Sequence, residues 1–271
     1  MTEAIKVSKR FGKILALDEV DLKLNTGVYG LLGPNGSGKT TLIRCLTGLL
    51  KPTSGTIISE ERSGYLPQKF GMYRELTLME AMTYFASLKS IPHKRQKEEI
   101  MYWLERVHLE DRAKHKIGTL SGGMLRRLGV AQALLGDPPL LLVDEPTAGL
   151  DPEERLSFKN LIAELDRDRT VLISTHIVED VEAVCDHIII IHQGKIVVND
   201  TADGIKNHAR NKVFSVPAEE KSKLRDPYHL LRREYVDGEE VLRVISPEAQ
   251  YFPAATPSIE DGYMLYIRQL A

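Results

Sequence analysis

Cysteine is scarce in this chain: Cys45 and Cys185 are the two in 271 residues. Two thiols cannot build a disulfide framework, so a stapled secreted domain is excluded and a reducing, cytosolic setting is expected. Long apolar runs are missing too. No stretch approaches the roughly 18 uninterrupted apolar residues that a membrane span needs. The run Ile188–Ile191 is closed by His187 and His192. Met1–Lys6 carries no apolar signal core. The sequence is therefore not expected to cross a membrane by itself. A dominant charge sign is also lacking, since 36 Lys and Arg against 38 Asp and Glu leave a net charge of −2. That balance argues against a chain whose main partner is a bare nucleic-acid backbone. There are no internal repeats and no low-complexity tracts. What is present is 42% apolar and 27% charged residues, the composition of a soluble globular protein. At about 150 residues per domain the length is somewhat under two domains, enough to bury a real core.

Apolar runs alternate with breaks along the chain. Val28–Leu32 predicts a buried strand that ends at a glycine-rich loop, and residues 41–50 predict a helix stopped by Lys51–Gly55. From about Met72 to Leu135 the pattern becomes mostly helical. Strand-like runs return at Leu140–Val143, Val171–Ile173, Ile188–Ile191 and Ile196–Val198. Helical segments at Glu153–Asp168 and Ile177–Cys185 fall between them. Continuous apolar strands separated by helices predict an α/β fold with a parallel sheet covered on both faces. Beyond about Thr201 the pattern weakens. Two alternating runs within 229–246 flank Asp237-Gly238, a hairpin signal, and Pro257-Ser258 opens a short last helix. A small appendage is expected over 205–271.

Gly33-Pro34-Asn35-Gly36-Ser37-Gly38-Lys39-Thr40 fits G-x-x-x-x-G-K-[ST] between a predicted strand and a predicted helix. Glycines let backbone N–H groups turn around phosphate oxygens, and the following helix adds its unpaired donors. Lys39 can reach the outer phosphates, and the Thr40 hydroxyl can ligate magnesium. Leu140–Val143 delivers Asp144 and Glu145 to the edge of the sheet where ligands bind. Asp144 suits a metal, and Glu145 suits a general base facing an attacking water. His176 leaves the same predicted edge. Ser121-Gly122-Gly123 opens a second helix with bare N–H groups, a second anion cradle without a lysine of its own. One solution is a head-to-tail pair of such domains. A plain helix cap is the other reading of those residues.

In this order the motifs resemble the nucleotide-binding domain of the ATP-binding cassette transporters, over about residues 3–204. The matching stretches are GPNGSGKTT, Gln68 in GYLPQKFGMY, LSGGM, LLLVDEP, Ala148-Gly149-Leu150-Asp151 and His176. The resemblance implies a P-loop NTPase cassette over 1–204, with a RecA-like α/β core, a helical subdomain over about 72–135 and an N-terminal antiparallel β region. A small α+β accessory domain over 205–271 would follow. It implies that Phe11 stacks on adenine, that Gly33 to Thr41 bind the phosphates of ATP, and that Thr40, Gln68 and Asp144 stand near magnesium. Glu145, His176, Gln68 and Lys39 would be catalytic. Ser121, Gly122 and Gly123 would serve the partner's nucleotide, and Asp151 would lie on the loop crossing the dimer interface. A second cassette, as homodimer or heterodimer, and a separate membrane permease are the implied partners, with no nucleic acid. The implied location is cytoplasmic, on the inner face of the cell membrane through the permease.

The sequence departs from the family pattern at Phe11, where tyrosine is commoner, and at Met124, where glutamine is commoner. LSGGM followed by Arg126 and Arg127, with Thr256–Asp261, resembles cassettes that pair with export permeases. The alternatives are a soluble cassette acting on DNA or ribosomes and a regulatory cassette. The interval of about 80 residues between loop and signature shows no sustained heptads, and intact Lys39, Glu145 and His176 weigh against the regulatory reading. The stripe Leu78, Met79, Met82 and Phe85 could receive a coupling helix or be core.

Overall fold

The computed structural model describes residues 1–59, 62–165, 168–236 and 238–268. The backbone groups into two compact units: Met1–Asp186 with Ile191–Ile196, and His187–Ile190 with Val197–Ala271.

The first unit opens with β1 (Thr2–Phe11), β2 (Ile14–Leu24) and β3 (Gly27–Leu32), followed by α1 (Lys39–Leu46), β4 (Ser54–Ile58) and β5 (Ser63–Leu66). Strands β2, β1 and β4 form an antiparallel sheet in that order. Three helices come next: α2 (Leu78–Leu88), α3 (His93–Arg106) and α4 (Gly122–Leu134). Then come β6 (Leu140–Asp144), α5 (Pro152–Glu164), β7 (Thr170–Thr175) and α6 (Val178–Glu182). The chain continues through β8 (His187–His192) and β9 (Lys195–Thr201).

Strands β5, β6, β7 and β3 lie side by side in parallel. Every residue of β6 and β7 is buried, which is why these strands read as unbroken apolar runs instead of alternating ones. Register sets where the strands end. Leu66 pairs with Val143, Asp144 with Ser174, and Leu32 with Thr175. All four strands therefore end at one edge, and the segments holding Gln68, Glu145, His176 and the glycine-rich loop leave the sheet together.

The helical stretch packs into one apolar cluster with the sheet, built around Leu78, Met82, Ile100, Leu104, Leu128 and Leu134. Of the stripe Leu78, Met79, Met82 and Phe85, Leu78 and Met82 are fully buried, and Met79 and Phe85 pack partly buried against the same cluster, while Tyr73 and Tyr84 are exposed. Helix α2 starts on a capping box between Thr77 and Glu80. The Lys89 ammonium donates to the carbonyls of Gln132, Ala133 and Leu135 at 3.0, 2.8 and 2.7 Å, closing the C-terminus of α4. Burial pushes Lys89 down to about 8, against the opposing pull of Glu99.

Helix ends differ from the sequence expectation. The first helix stops at Leu46, not Leu50, because Gly48 takes a φ of +74° that only glycine adopts freely, and Leu49 is left 67% exposed. The helix expected over Glu153–Asp168 runs Pro152–Glu164. The one expected over Ile177–Cys185 is reduced to Val178–Glu182, leaving Cys185 in the turn beyond it, while Cys45 is buried in α1.

The second unit holds α7 (Ala202–His208), β10 (Val213–Pro217), β11 (His229–Val236), β12 (Glu239–Ile245) and α8 (Ile259–Ile267). Its antiparallel sheet runs β10, β12, β11 around Phe214, Val216, Leu242, Val244 and Phe252. The expected hairpin joins β11 and β12; Gly238 has a φ of +87°, and Asp237 lies outside the described residues. Ser258 caps α8 and bonds the buried Asp261. Arg243 grips both carboxylate oxygens of Asp261, at 2.9 and 2.6 Å. Burial pushes this carboxyl up, but Arg243 and the two Ser258 donors outweigh it and hold the group below the ordinary carboxylate range.

A carboxylate with a depressed folded pKa stabilises at all pH values above its unfolded pKa of about 3.9, and that contribution is lost as pH falls through the folded value. Asp261→Ala is expected to cost about 3 kcal/mol at pH 7 by leaving Arg243 unpaired. Urea titrations of both chains should show this difference persisting to pH 5 and shrinking below about pH 4.

Candidate functional site

The loop from Gly33 to Thr40 connects β3 to α1. Two of its glycines are required by contact. A Cβ on Gly33 would lie 2.3 Å from the Ile191 carbonyl oxygen, and one on Gly38, at φ +111°, 2.6 Å from that of Ala16. Asn35 and Gly36 are exposed at the tip, while Ser37 and Lys39 are buried. Thr41 is half-buried on the first turn of α1. The Lys39 ammonium donates to the carbonyls of Gly33 at 2.8 Å and Pro34 at 3.1 Å, and pairs with Glu145 Oε1 at 3.2 Å.

Glu145 collects three of the expected residues. Besides the Lys39 pair, its Oε2 accepts from Gln68 Nε2 at 3.0 Å and lies 3.6 Å from His176 Nδ1. Its backbone adopts a φ of +45°, a conformation that costs a non-glycine residue free energy and needs external support. Ser174 gives that support. The Glu145 N–H donates to both the Ser174 hydroxyl at 3.0 Å and the Ser174 carbonyl at 3.1 Å. The same hydroxyl donates to Asp144 Oδ1 at 2.6 Å, which also accepts from Thr40 Oγ1 at 3.1 Å. Asp144 is fully buried, and its other oxygen, Oδ2, has no partner among the described residues.

A second cluster lies at the start of α4. Ser121 caps the helix by accepting from Met124 N at 3.2 Å. Its hydroxyl donates to Glu154 Oε1 at 2.8 Å, and Gly123 N donates to the same oxygen at 3.0 Å. A Cβ on Gly123 would fall 2.5 Å from Glu154 Cδ, so the glycine lets the carboxylate sit on the backbone, whereas a Cβ on Gly122 would lie 3.9 Å from Oε2, in ordinary contact. Asp151 caps α5 through the Glu154 N–H at 2.8 Å. Behind the signature, Arg126 donates to the Pro67 carbonyl, next to Gln68, at 3.2 Å. Burial pushes the Arg126 guanidinium down from its ordinary value.

The structure thus gathers Lys39, Thr40, Gln68, Asp144, Glu145 and His176 in one network. Among the described residues, its hydrogen bonds and ion pairs include none from Phe11, Ser121, Gly122, Gly123 or Asp151. Phe11 ends β1, 46% exposed, with the Lys9 ammonium 5.2 Å from its ring centroid. Ser174 and Glu154 were not singled out by sequence reasoning. The Ser174-Thr175 exit before His176 was the one signal for the first, and a glutamate in the first turn of a helix looks like ordinary dipole complementation.

The family model described as ABC transporter matches residues 17–148. The bacitracin transport ATP-binding protein BcrA of Bacillus licheniformis is 35% identical over 273 residues, covering 94% of this chain and 88% of its own. The Nod factor export ATP-binding protein I of Cupriavidus metallidurans is 37% identical, covering 81% and 78%. The dimeric post-hydrolysis structure of the ATP-binding cassette MJ0796, bound to ADP and Pi, superposes with a TM-score of 0.66 at 26% identity, covering 74% of this chain and 98% of that one.

Replacing Ser174 by alanine strands the Glu145 N–H on one carbonyl and removes a donor from a buried carboxylate. Ser174→Ala is expected to lower stability by about 2 kcal/mol in denaturant titration. A loss under about 0.5 kcal/mol, the range of ordinary surface substitutions, would contradict the support that Ser174 gives the Glu145 backbone.

Proposed function

This chain belongs to the ATP-binding subunits of ABC transporters, and from that premise we propose that it drives export through a separate membrane permease, using the residues gathered on Glu145. It is an ATPase of that family. The observation that carries the site reading is the single carboxylate of Glu145 held at once to Lys39 and Gln68, with His176 3.6 Å away.

In this reading Phe11 stacks on adenine and residues 33–41 wrap the phosphates. Lys39 exchanges its loop carbonyls and Glu145 for phosphate oxygens. Thr40, Gln68 and Asp144 would hold magnesium. Their hydroxyl, amide and carboxylate oxygens suit that hard cation, and the unpartnered buried Asp144 Oδ2 is a ready ligand. Magnesium, when bound, neutralises charge on the phosphates. Glu145 takes the proton of the attacking water, Gln68 orients it, and His176 stabilises charge at the γ-phosphate. Ser121, Gly122 and Gly123 serve the nucleotide of a second cassette, and the Ser121 hydroxyl and Gly123 N–H pass from Glu154 to that γ-phosphate. Asp151 stands on the loop between the two cassettes.

One feature supports the partner reading. A groove of about 400 Å³ lined by Met72, Tyr73, Leu76, Ala81, Tyr84 and Phe85 suits a short apolar helix of a permease. Among the described residues no helix is long and apolar enough to cross a membrane. In this reading the chain sits on the inner face of the membrane through that permease. Residues 1–204 would form the cassette and 205–271 its accessory domain. The export direction accords with the relatives' names and the LSGGM signature. Which cargo moves is decided in the permease.

Glu145→Gln is expected to slow ATP hydrolysis at least about 100-fold while ATP still binds. Rate per chain should rise steeply with protein concentration, since each site needs two chains. Hydrolysis by the Gln variant at the unmodified rate would overturn the assignment of Glu145.

A further inference from the structure

One buried acid of the first unit belongs to none of the family's motifs. Asp180, on α6, is 5% exposed. Its Oδ2 accepts from Thr147 Oγ1 at 2.5 Å and from Thr175 Oγ1 at 3.3 Å. Its Oδ1 faces Lys159 Nζ at 3.3 Å and Arg155 Nε at 4.0 Å, both on α5. A carboxylate is stable at this depth only with such cations and donors around it.

The partners of Asp180 sit beside the site. Thr147, itself buried, is two residues after Glu145 and four before Asp151. A turn there bonds Ala148 N to the Glu145 carbonyl at 3.3 Å and Leu150 N to that of Thr147 at 3.2 Å. Thr175 directly precedes His176, and its hydroxyl also accepts from Ile177 N at 3.0 Å, so it fastens the chain on both sides of the histidine. Lys159 adds a bond to the carbonyl of Glu179 at 2.7 Å. One carboxylate therefore ties together the loop carrying Glu145 and Asp151, the strand exit carrying His176, and the first turns of α5.

The fold has other means of holding these elements. Strands β6 and β7 are fixed by their ladder, and α5 by the buried Phe158, Leu161 and Ile162. The hydroxyl bonds of Asp180 go to Thr147, on the loop after Glu145, and to Thr175, the last residue of β7, directly before His176. We propose that Asp180 is a positioning residue for ATP hydrolysis, acting through Thr147 and Thr175 to keep Glu145, His176 and the Asp151 loop in one register. The inference rests on the roles proposed for Glu145 and His176. Misplacement of a reacting group by about 1 Å can cost about 100-fold in rate, so a lost tether shows in turnover before it shows in binding.

The test compares Thr147→Val, which keeps the shape and removes the hydroxyl, with Thr147→Ser, which keeps the hydroxyl, in the full chain. Thr147→Val is expected to lower kcat at least about 10-fold, with KM for ATP unchanged within about twofold. Thr147→Ser is expected to recover most of the rate. Asp180→Asn should fall similarly, and the double variant Thr147→Val with Asp180→Asn should be no slower than the slower single one, because both cut one link. The inference is overturned if Thr147→Val keeps its kcat, loses it only in proportion to unfolded protein in a parallel melt, or is not rescued by serine. If Asp180→Asn does not fold, the threonine pair decides alone. Glu145→Gln is measured beside them: full activity there defeats the site roles themselves, whereas an inactive Glu145→Gln with a fully active Thr147→Val defeats only the tether.

Discussion

The Ser174 hydroxyl is the contact on which the geometry of the site depends. Parallel register sets Asp144 opposite Ser174, and the hydroxyl between them donates to Asp144 and accepts from the Glu145 N–H. Without that acceptor, the left-handed backbone at Glu145 would have one carbonyl to hold it against its intrinsic cost. With it, the chain bends at Glu145 directly after Asp144, and two adjacent acids point into different surroundings. Asp144 faces Thr40, and Glu145 faces Lys39, Gln68 and His176. Strand, turn and side-chain direction are thus one coupled result of a sheet whose four strands end together.

Much of this was legible from residues because the motifs come directly after apolar runs. A run such as Leu140–Val143 can be buried on both faces only in the middle of a parallel sheet, so the acids after it had to emerge at the ligand edge. The glycine-rich loop was legible for a steric reason, which the close approach of Gly33 and Gly38 to neighbouring backbone makes concrete. Helix ends were less so. Leu49 and Leu50 continue the periodicity of α1, yet the helix has already stopped, because a positive φ at Gly48 outweighs two more apolar positions. The stripe Leu78, Met79, Met82 and Phe85 could not be assigned from spacing. Core and docking surface share one period, and burial alone divides Leu78 and Met82 from Tyr84.

The least legible residues are those whose partners come from far along the chain. Ser174 bonds across 30 residues to Asp144, Thr147 across 33 to Asp180, and Ser121 across 33 to Glu154. Serine at a strand end, or aspartate on a helix after a strand, has no pattern of its own. Its meaning is set by which elements the topology brings alongside.

Both groups of donors in the proposed site are paired with acids of the chain itself. The Lys39 ammonium is bonded to Glu145, and the Ser121 hydroxyl and Gly123 N–H to Glu154. Lys39 and Gly123 are buried while Ser121 is exposed. A buried donor left without an acceptor costs about 1–3 kcal/mol, so the carboxylates that meet Lys39 and the Gly123 N–H are a reason the loop and the helix start keep their shape. A phosphate that takes the same donors must replace a carboxylate, and the two negative groups cannot share the place. In the proposed reading each half of the composite site therefore exchanges one anion for another. The net gain then comes from the extra charge and oxygens of the phosphate and not from first contact with bare donors. That exchange also moves Glu145 off Lys39, which frees its carboxylate for water in the same step that brings the nucleotide to the lysine.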